Sequence, residues 1–153
     1  VVNASHLTGG SVPLNEQTPL DPDRPVKSGA THSPLFVPAD PDRLSQVIDN
    51  LLDNAIRHSP ENSTITVTVK PAQAGVECAV SDQGLGIPAR HLPFIFERFY
   101  RVDASRSRNR KDGGTGLGLA IVRALVNAQG GQISAQSVEG AGTTITFWLP
   151  AIG

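Results

Sequence analysis

Methionine is missing altogether, and cysteine, tryptophan and tyrosine occur once each in the 153 residues. A single thiol, Cys78, excludes an internal disulfide framework and leaves the redox compartment open. With no methionine even at position 1, the expectation is a piece of a longer protein, whose parent can still be a membrane protein. No apolar run approaches the length of a bilayer span, and no secretory leader opens the chain. Net charge is nearly absent too. The value of -1 at pH 7 gives no whole-chain argument for nucleic acid or an anionic membrane as partner. What remains is 39% hydrophobic and 18% charged, the balance expected of a soluble globular domain with a single core.

Residues 1–34 spread Pro13, Pro19, Pro22, Pro25 and Pro34 through Gly, Ser, Thr and Asp. Proline at that density blocks a long helix. A linker with an edge strand is expected, with short strands possible at 11–14 and around 35–37, and the folded domain is placed at 35–153. Residues 42–60, DRLSQVIDNLLDNAIRHSP, then form one amphipathic helix. Leu44, Val47, Ile48, Leu51, Ala55 and Ile56 make its apolar face. Asp42 stands as N-cap and Pro60 lies past the end. Gln46, Asn50, Asn54 and Arg57 form a second stripe at helical spacing. Two readings fit this stripe: an ordinary solvent face, or a ligand face in which amide oxygens suit Mg²⁺ and the guanidinium suits phosphate.

Residues 63–70 and 76–82 alternate apolar and polar positions around a turn at 73–75, the pattern of an antiparallel hairpin with one buried face. Val76, Cys78 and Val80 point to the core, so Asp82 points the same way. An inward carboxylate needs a donor partner. Gly84 and Gly86 next to it let a ligand come close to the backbone. Asp82 is therefore a candidate acceptor for a bound base or amine, against the alternative of an acid that turns out to solvent.

In IPARHLPFIFERFYR, residues 87–101, Pro88 and Pro93 can each start a short helical turn. Phe94, Phe96, Phe99 and Tyr100 are expected in a packed hinge or core patch. Residues 102–113 lose periodicity and crowd Arg106, Arg108, Arg110 and Lys111, either a solvated basic loop or a lid whose cations meet phosphates. GGTGLGLA then opens a helix to about residue 129, with Leu117, Ile121, Ala124, Leu125 and Ala128 as its expected buried side and Gly130 and Gly131 as its cap. Glycines at a helix start offer unpaired N–H groups to phosphate. The pattern is neither a P-loop nor a Rossmann turn, because Lys and the third Gly are missing and a charged loop precedes it. Strands are expected at 132–138 and 143–149, with Ile145, Phe147, Leu149 and Thr143 on one face.

In order, DxxRLxQVxxNLLxNAxRHSP, DxGxGIP, IFERFYR, GTGLGLAIV and GAGTTITFWLP resemble the catalytic ATP-binding domain of bacterial sensor histidine kinases, in the superfamily shared with gyrase B and MutL. The resemblance covers about residues 35–150. It implies an α/β two-layer sandwich of the Bergerat type. Its mixed, mostly antiparallel sheet has about five strands, covered on one face by about three helices, with ATP under a flexible lid. By motif position, Asn54 resembles the Mg²⁺ ligand, with Asn50 one turn before it. Arg57 resembles a phosphate contact and His58 a residue lining the nucleotide. Asp82 matches the acceptor for the adenine amino group, with Gly84, Gly86 and Ile87 as the purine turn and Thr143 near the base. Arg101 and Arg106 match lid cations, and Gly114, Gly116, Leu117 and Gly118 the phosphate loop. Tyr100 and Thr115 complete the nucleotide-binding set.

The same resemblance implies ATP and Mg²⁺, transfer to a histidine on a separate dimerisation helix, and a response regulator downstream. The full-length protein would be a homodimer and this piece a monomer, in the cytoplasm beneath a membrane-anchored sensor. None of His6, His32, His58 or His91 lies in the H-E-x-x-x-P context of the acceptor, so this chain should not phosphorylate itself. The helix that the family places before its Asn-rich helix is not evident in residues 13–34. Two alternatives remain: an ATPase or anti-sigma-type serine kinase on the same fold, and a non-catalytic nucleotide-binding interaction module.

Overall fold

The computed structural model describes residues 2–3, 10–12, 36–102 and 115–152. In chain order these form β1 (Val2–Asn3), β2 (Gly10–Val12), β3 (Phe36–Val37), α1 (Pro41–His58), β4 (Ile65–Ala72), β5 (Gly75–Ser81), a 3-10 helix (Ala89–Phe94), α2 (Gly118–Ala128), β6 (Gln132–Val138) and β7 (Gly142–Pro150). A five-stranded sheet runs in the order β2-β4-β5-β7-β6, and β1 pairs with β3 separately. All of the described pairings are antiparallel, so the expected mixed character is not seen among them.

The α1 helix is capped two residues before the sequence pattern placed its cap. Asp40, not Asp42, is the N-cap, and its Oδ1 accepts from the Asp42 and Arg43 amides at 3.0 and 3.3 Å. The reason is Pro41, whose fixed φ suits the first helical position and whose missing N–H costs nothing there. Val47, Leu51 and Ala55 are buried as expected, but Ile56 is 59% exposed. The β4–β5 hairpin turns on Gln73 and Ala74, both at positive φ, so Gly75 belongs to the strand rather than to the turn. Gly75 is needed there because a Cβ would collide with the Trp148 ring.

The core lies between the sheet and the two helices. Val76, Cys78 and Val80 of β5 and Ile145, Phe147 and Leu149 of β7 face Val47, Leu51 and Ala55 of α1 and Val122 and Val126 of α2. For α2 the expected buried side was only partly right, since Leu117, Ile121 and Leu125 are half-buried but the centre of the face lies elsewhere. Val122 and Val126 are fully buried, with Leu119 and Leu125 packed beside them, while Ala124 and Ala128 are exposed. This helix is apolar nearly all round, so periodicity alone does not fix its phase. It ends in a Schellman turn, with Gly130 N–H on Asn127 O and Gly131 N–H on Val126 O, both at 3.0 Å.

The aromatic stretch is not core either. Ile95 is its buried residue, and Phe96 is half-buried, while Phe94 and Phe99 are 48% and 70% exposed. On the outer face of the sheet, Ser81 Oγ and Thr144 Oγ1 are 2.8 Å apart and Trp148 donates its indole N–H to Ala72 O at 2.8 Å. No helix among the described residues is long and apolar enough to cross a membrane.

Candidate functional site

Asp82 follows the last residue of β5 and lies on the side that alternation assigns it, half-buried beyond Val80. Its carboxylate is held in a specific way. Oδ1 accepts from Gly84 N–H at 2.8 Å and from Thr143 N–H at 3.2 Å, while its own N–H donates to Thr143 O at 2.8 Å. Among the described residues, Oδ2 has no hydrogen-bond partner. One oxygen is thus spent on structure, and the other remains a charged acceptor.

The two glycines after Asp82 are both sites of close backbone packing. A Cβ on Gly84 would collide with His58 O, and one on Gly86, at φ 66°, would collide with Val138 O. They admit close approach of the protein's own backbone. Their effect is to press the turn after β5 between the end of α1 and the β6–β7 turn, which brings Asp82, His58 and Thr143 together. Ile87 is tied into the same place through its N–H, which donates to Ser137 Oγ at 2.7 Å. Ser137 also donates to Gly142 O at 2.8 Å and lies 2.9 Å from Oγ1 of the buried Thr143.

His58 ends α1 and is exposed as a residue, although its ring is partly desolvated. Its pKa lies below the ordinary 6.5, chiefly because the ring is desolvated; the Asp82 charge opposes this and Arg57 adds to it. The neutral imidazole is favoured. Further back on α1, Asn50 Nδ2 donates to Gln46 O at 2.7 Å. Its Oδ1 would lie 3.3 Å from a Cβ on Gly118, so the amide stripe looks onto the first residue of α2. Asn54 is half-buried on the same helix and Arg57 is exposed.

Among the described residues no side chain caps α2. Leu117 is its N-cap, and the first bond along it is Ile121 N–H to Leu117 O at 2.9 Å. Gly116 (φ 71°) is clasped by the aromatic segment, since Phe99 N–H donates to Gly116 O at 3.0 Å. Next to that clasp, Tyr100 Oη lies 2.6 Å from His91 Nδ1, and Arg101 and Thr115 are exposed. Arg106 and Gly114 fall outside the described residues, as does most of the expected lid. The structure thus gathers Asp82, His58, Gly84, Gly86, Ile87 and Thr143 at one end, and sets Asn50 against the start of α2. Ser137 was missed. Its role depends on the β6–β7 register, which pairs it with Thr143.

Among the described residues no three His, Cys, Asp or Glu side chains cluster as a metal site. Two small concavities, of about 210 and 180 Å³, lie beside Trp148 on the outer face and beside Ile56 and Ser59; neither includes Asp82.

With that geometry, residues 39–152 match the family described as histidine kinase-, DNA gyrase B-, and HSP90-like ATPase (HATPase_c). The chain belongs to this family. Sensor histidine kinase WalK of Bacillus subtilis (strain 168) is 48% identical over 118 residues, which cover 76% of this chain and 19% of WalK. Sensor protein kinase WalK of Staphylococcus aureus is 45% identical over 118 residues, 76% of this chain and 28% of that protein. The solved structure of a mycobacterial sensor histidine kinase, MprB, superposes with a TM-score of 0.68 at 34% identity, over 77% of this chain and 78% of that one. Full-length ShkA in complex with AMPPNP gives 0.65 at 30% identity, over 76% of this chain and 23% of ShkA. The fold is that of the histidine kinase catalytic domains in this HATPase_c family, and the chain spans about a fifth of the length of B. subtilis WalK.

Proposed function

We propose that residues 35–153 are the catalytic domain of a sensor histidine kinase. It binds ATP with Mg²⁺ and supplies the γ-phosphoryl group to a histidine on a separate dimerisation helix of the same protein, which then serves a response regulator. The observation that carries this reading is the half-used carboxylate of Asp82. Oδ1 is fixed by two backbone donors, so Oδ2 is left as an acceptor, and an adenine amino group suits it. Relatives named as sensor kinases, and a neighbour solved with an ATP analogue, support the same nucleotide.

Phosphates belong at the other end, where the N–H groups at the start of α2 have no side-chain cap among the described residues and the helix dipole favours anions. Gly114, Thr115, Gly116, Leu117 and Gly118 line that end, with Arg57, Arg101 and Arg106 as cations and Tyr100 beside them. The residues present fit Mg²⁺ as a weakly held ion. Asn54, with Asn50 beside it, offers neutral amide oxygens and no acidic cage is present among the described residues, which suits an ion held mostly by the nucleotide and water. When bound, the ion offsets charge on the transferred group. An amide at Asn50 cannot take a proton from water, so hydrolysis by the chain alone is slow. In the cell the domain would lie in the cytoplasm beneath a membrane-anchored, dimeric sensor.

The test is transfer. The chain is mixed with Mg–ATP and the histidine-bearing helix of its parent protein. Acid-labile, base-stable phosphate should appear on that helix and none on the chain itself. Acid-stable phosphate on serine, or rapid release of inorganic phosphate without an acceptor, contradicts the assignment.

A further inference from the structure

We infer that Ser137 is a positioning residue that fixes the hydroxyl of Thr143 as a hydrogen-bond acceptor, and so makes the base end of the site selective for a ring that presents an amino donor. The inference rests on the ATP-site reading above and deepens it. The argument is a count of protons. Ser137 Oγ carries one hydrogen and two lone pairs. Gly142 O is a carbonyl and can only accept, so at 2.8 Å it takes the Ser137 hydrogen. The Ile87 N–H can only donate, so at 2.7 Å it occupies one lone pair. A single lone pair is left for Thr143 Oγ1 at 2.9 Å, and Thr143 must be the donor in that bond.

Thr143 then has no hydrogen left for a ligand. Its oxygen can only accept. The residue is 6% exposed, and its backbone N–H is already on Asp82 Oδ1 at 3.2 Å, so Thr143 and Asp82 are direct hydrogen-bonded neighbours. Asp82 Oδ2 and Thr143 Oγ1 then give the base end a floor of two acceptors. A 6-amino purine suits that floor, and a 6-oxo purine places a carbonyl against it. Without Ser137, the Thr143 hydroxyl regains its proton for use toward the ligand and meets either ring.

The experiment is calorimetric titration of the 153-residue chain with Mg–ATP and Mg–ITP. Inosine exchanges the donor at C6 for an acceptor, and the acceptor at N1 for a donor, with no change in size. Wild type should prefer ATP. Ser137→Ala should narrow that preference about tenfold, which is about 1.4 kcal/mol. Ser137→Thr, which keeps the hydroxyl, should restore it. A general loss of packing weakens both nucleotides alike and leaves the ratio unchanged, so an unchanged ratio in folded Ser137→Ala overturns the inference. Should that variant not fold, Thr143→Ala removes the acceptor directly, and a preserved preference there overturns it equally. Wild type that binds ATP and ITP alike also overturns it and leaves the ATP site standing. Wild type that binds neither refutes the ATP site instead.

Discussion

Asp82→Asn separates the two jobs of this carboxylate. The amide oxygen can replace Oδ1 in front of the Gly84 and Thr143 N–H groups, which are 2.8 and 3.2 Å away. The reverse orientation would set three donors against one another, so those two amides fix the side chain with its NH₂ where Oδ2 stood. A charged acceptor facing the ligand thereby becomes a donor. Hydrogen bonds to charged groups contribute about 1.5–3 kcal/mol, and a desolvated donor left without an acceptor costs about 1–3 kcal/mol more. A loss of about 3 kcal/mol is a reasonable centre, which weakens Mg–ATP binding on the order of 150-fold. Stability should fall by no more than about 1 kcal/mol, because both backbone donors keep a neutral partner. Asp82→Ala strands those two donors and should cost about 2 kcal/mol or more in stability as well. Titration calorimetry reads the affinity, and urea unfolding of the same samples reads the fold. If Asp82→Asn folds and binds Mg–ATP as wild type does, the carboxylate does not read the base. If it destabilises as much as Asp82→Ala, the two-donor geometry is wrong.

Three other outcomes follow from the fold. Gly86→Ala combines a positive φ with a collision at the Val138 carbonyl; it should cost at least about 2 kcal/mol and lower Tm by about 5–10 °C in a scanning melt, and a melt within a degree of wild type would disprove the close approach. Burial raises the Cys78 thiol to about 11, so at neutral pH its thiolate fraction is about 100-fold below that of a free cysteine; native chain should resist N-ethylmaleimide and react once unfolded in guanidinium, whereas rapid native labelling would contradict its burial. The His58 pKa is lowered below 6.5 in the fold, so between the folded and unfolded values the unfolded chain binds more protons. This contribution to stability is complete above about pH 6.5 and is lost as the pH falls toward the folded value; urea midpoints for His58→Gln should show a shallower acid decline than wild type, and parallel declines would remove the desolvated ring from the account.

How much of this was legible depends on whether a feature is local. The parity of Val76, Cys78 and Val80 predicted the side of Asp82, because a strand alternates its faces by geometry alone. The buried face of α1 was readable for the same kind of reason, since its polar residues leave one stripe for Val47, Leu51 and Ala55. On α2 no such contrast exists, so its phase was set by packing against β6 and β7 and could not be read in advance. The aromatic run 94–100 looked like core by composition, yet Ile95 alone of it is buried. Glycines 84 and 86 stood out in the sequence as points of close approach, but that backbone distant in sequence crowds them was not legible there. Ser137 is the instructive omission. Its importance exists only once β6 is registered on β7 and the turn after β5 is folded against both.

The most direct measurement is a crystal structure of the chain grown with Mg–AMPPNP. The account predicts the purine amino group within about 3 Å of Asp82 Oδ2, with the phosphates at the amides of Gly116, Leu117 and Gly118. A nucleotide seated elsewhere, with that carboxylate oxygen turned to bulk water, would contradict it.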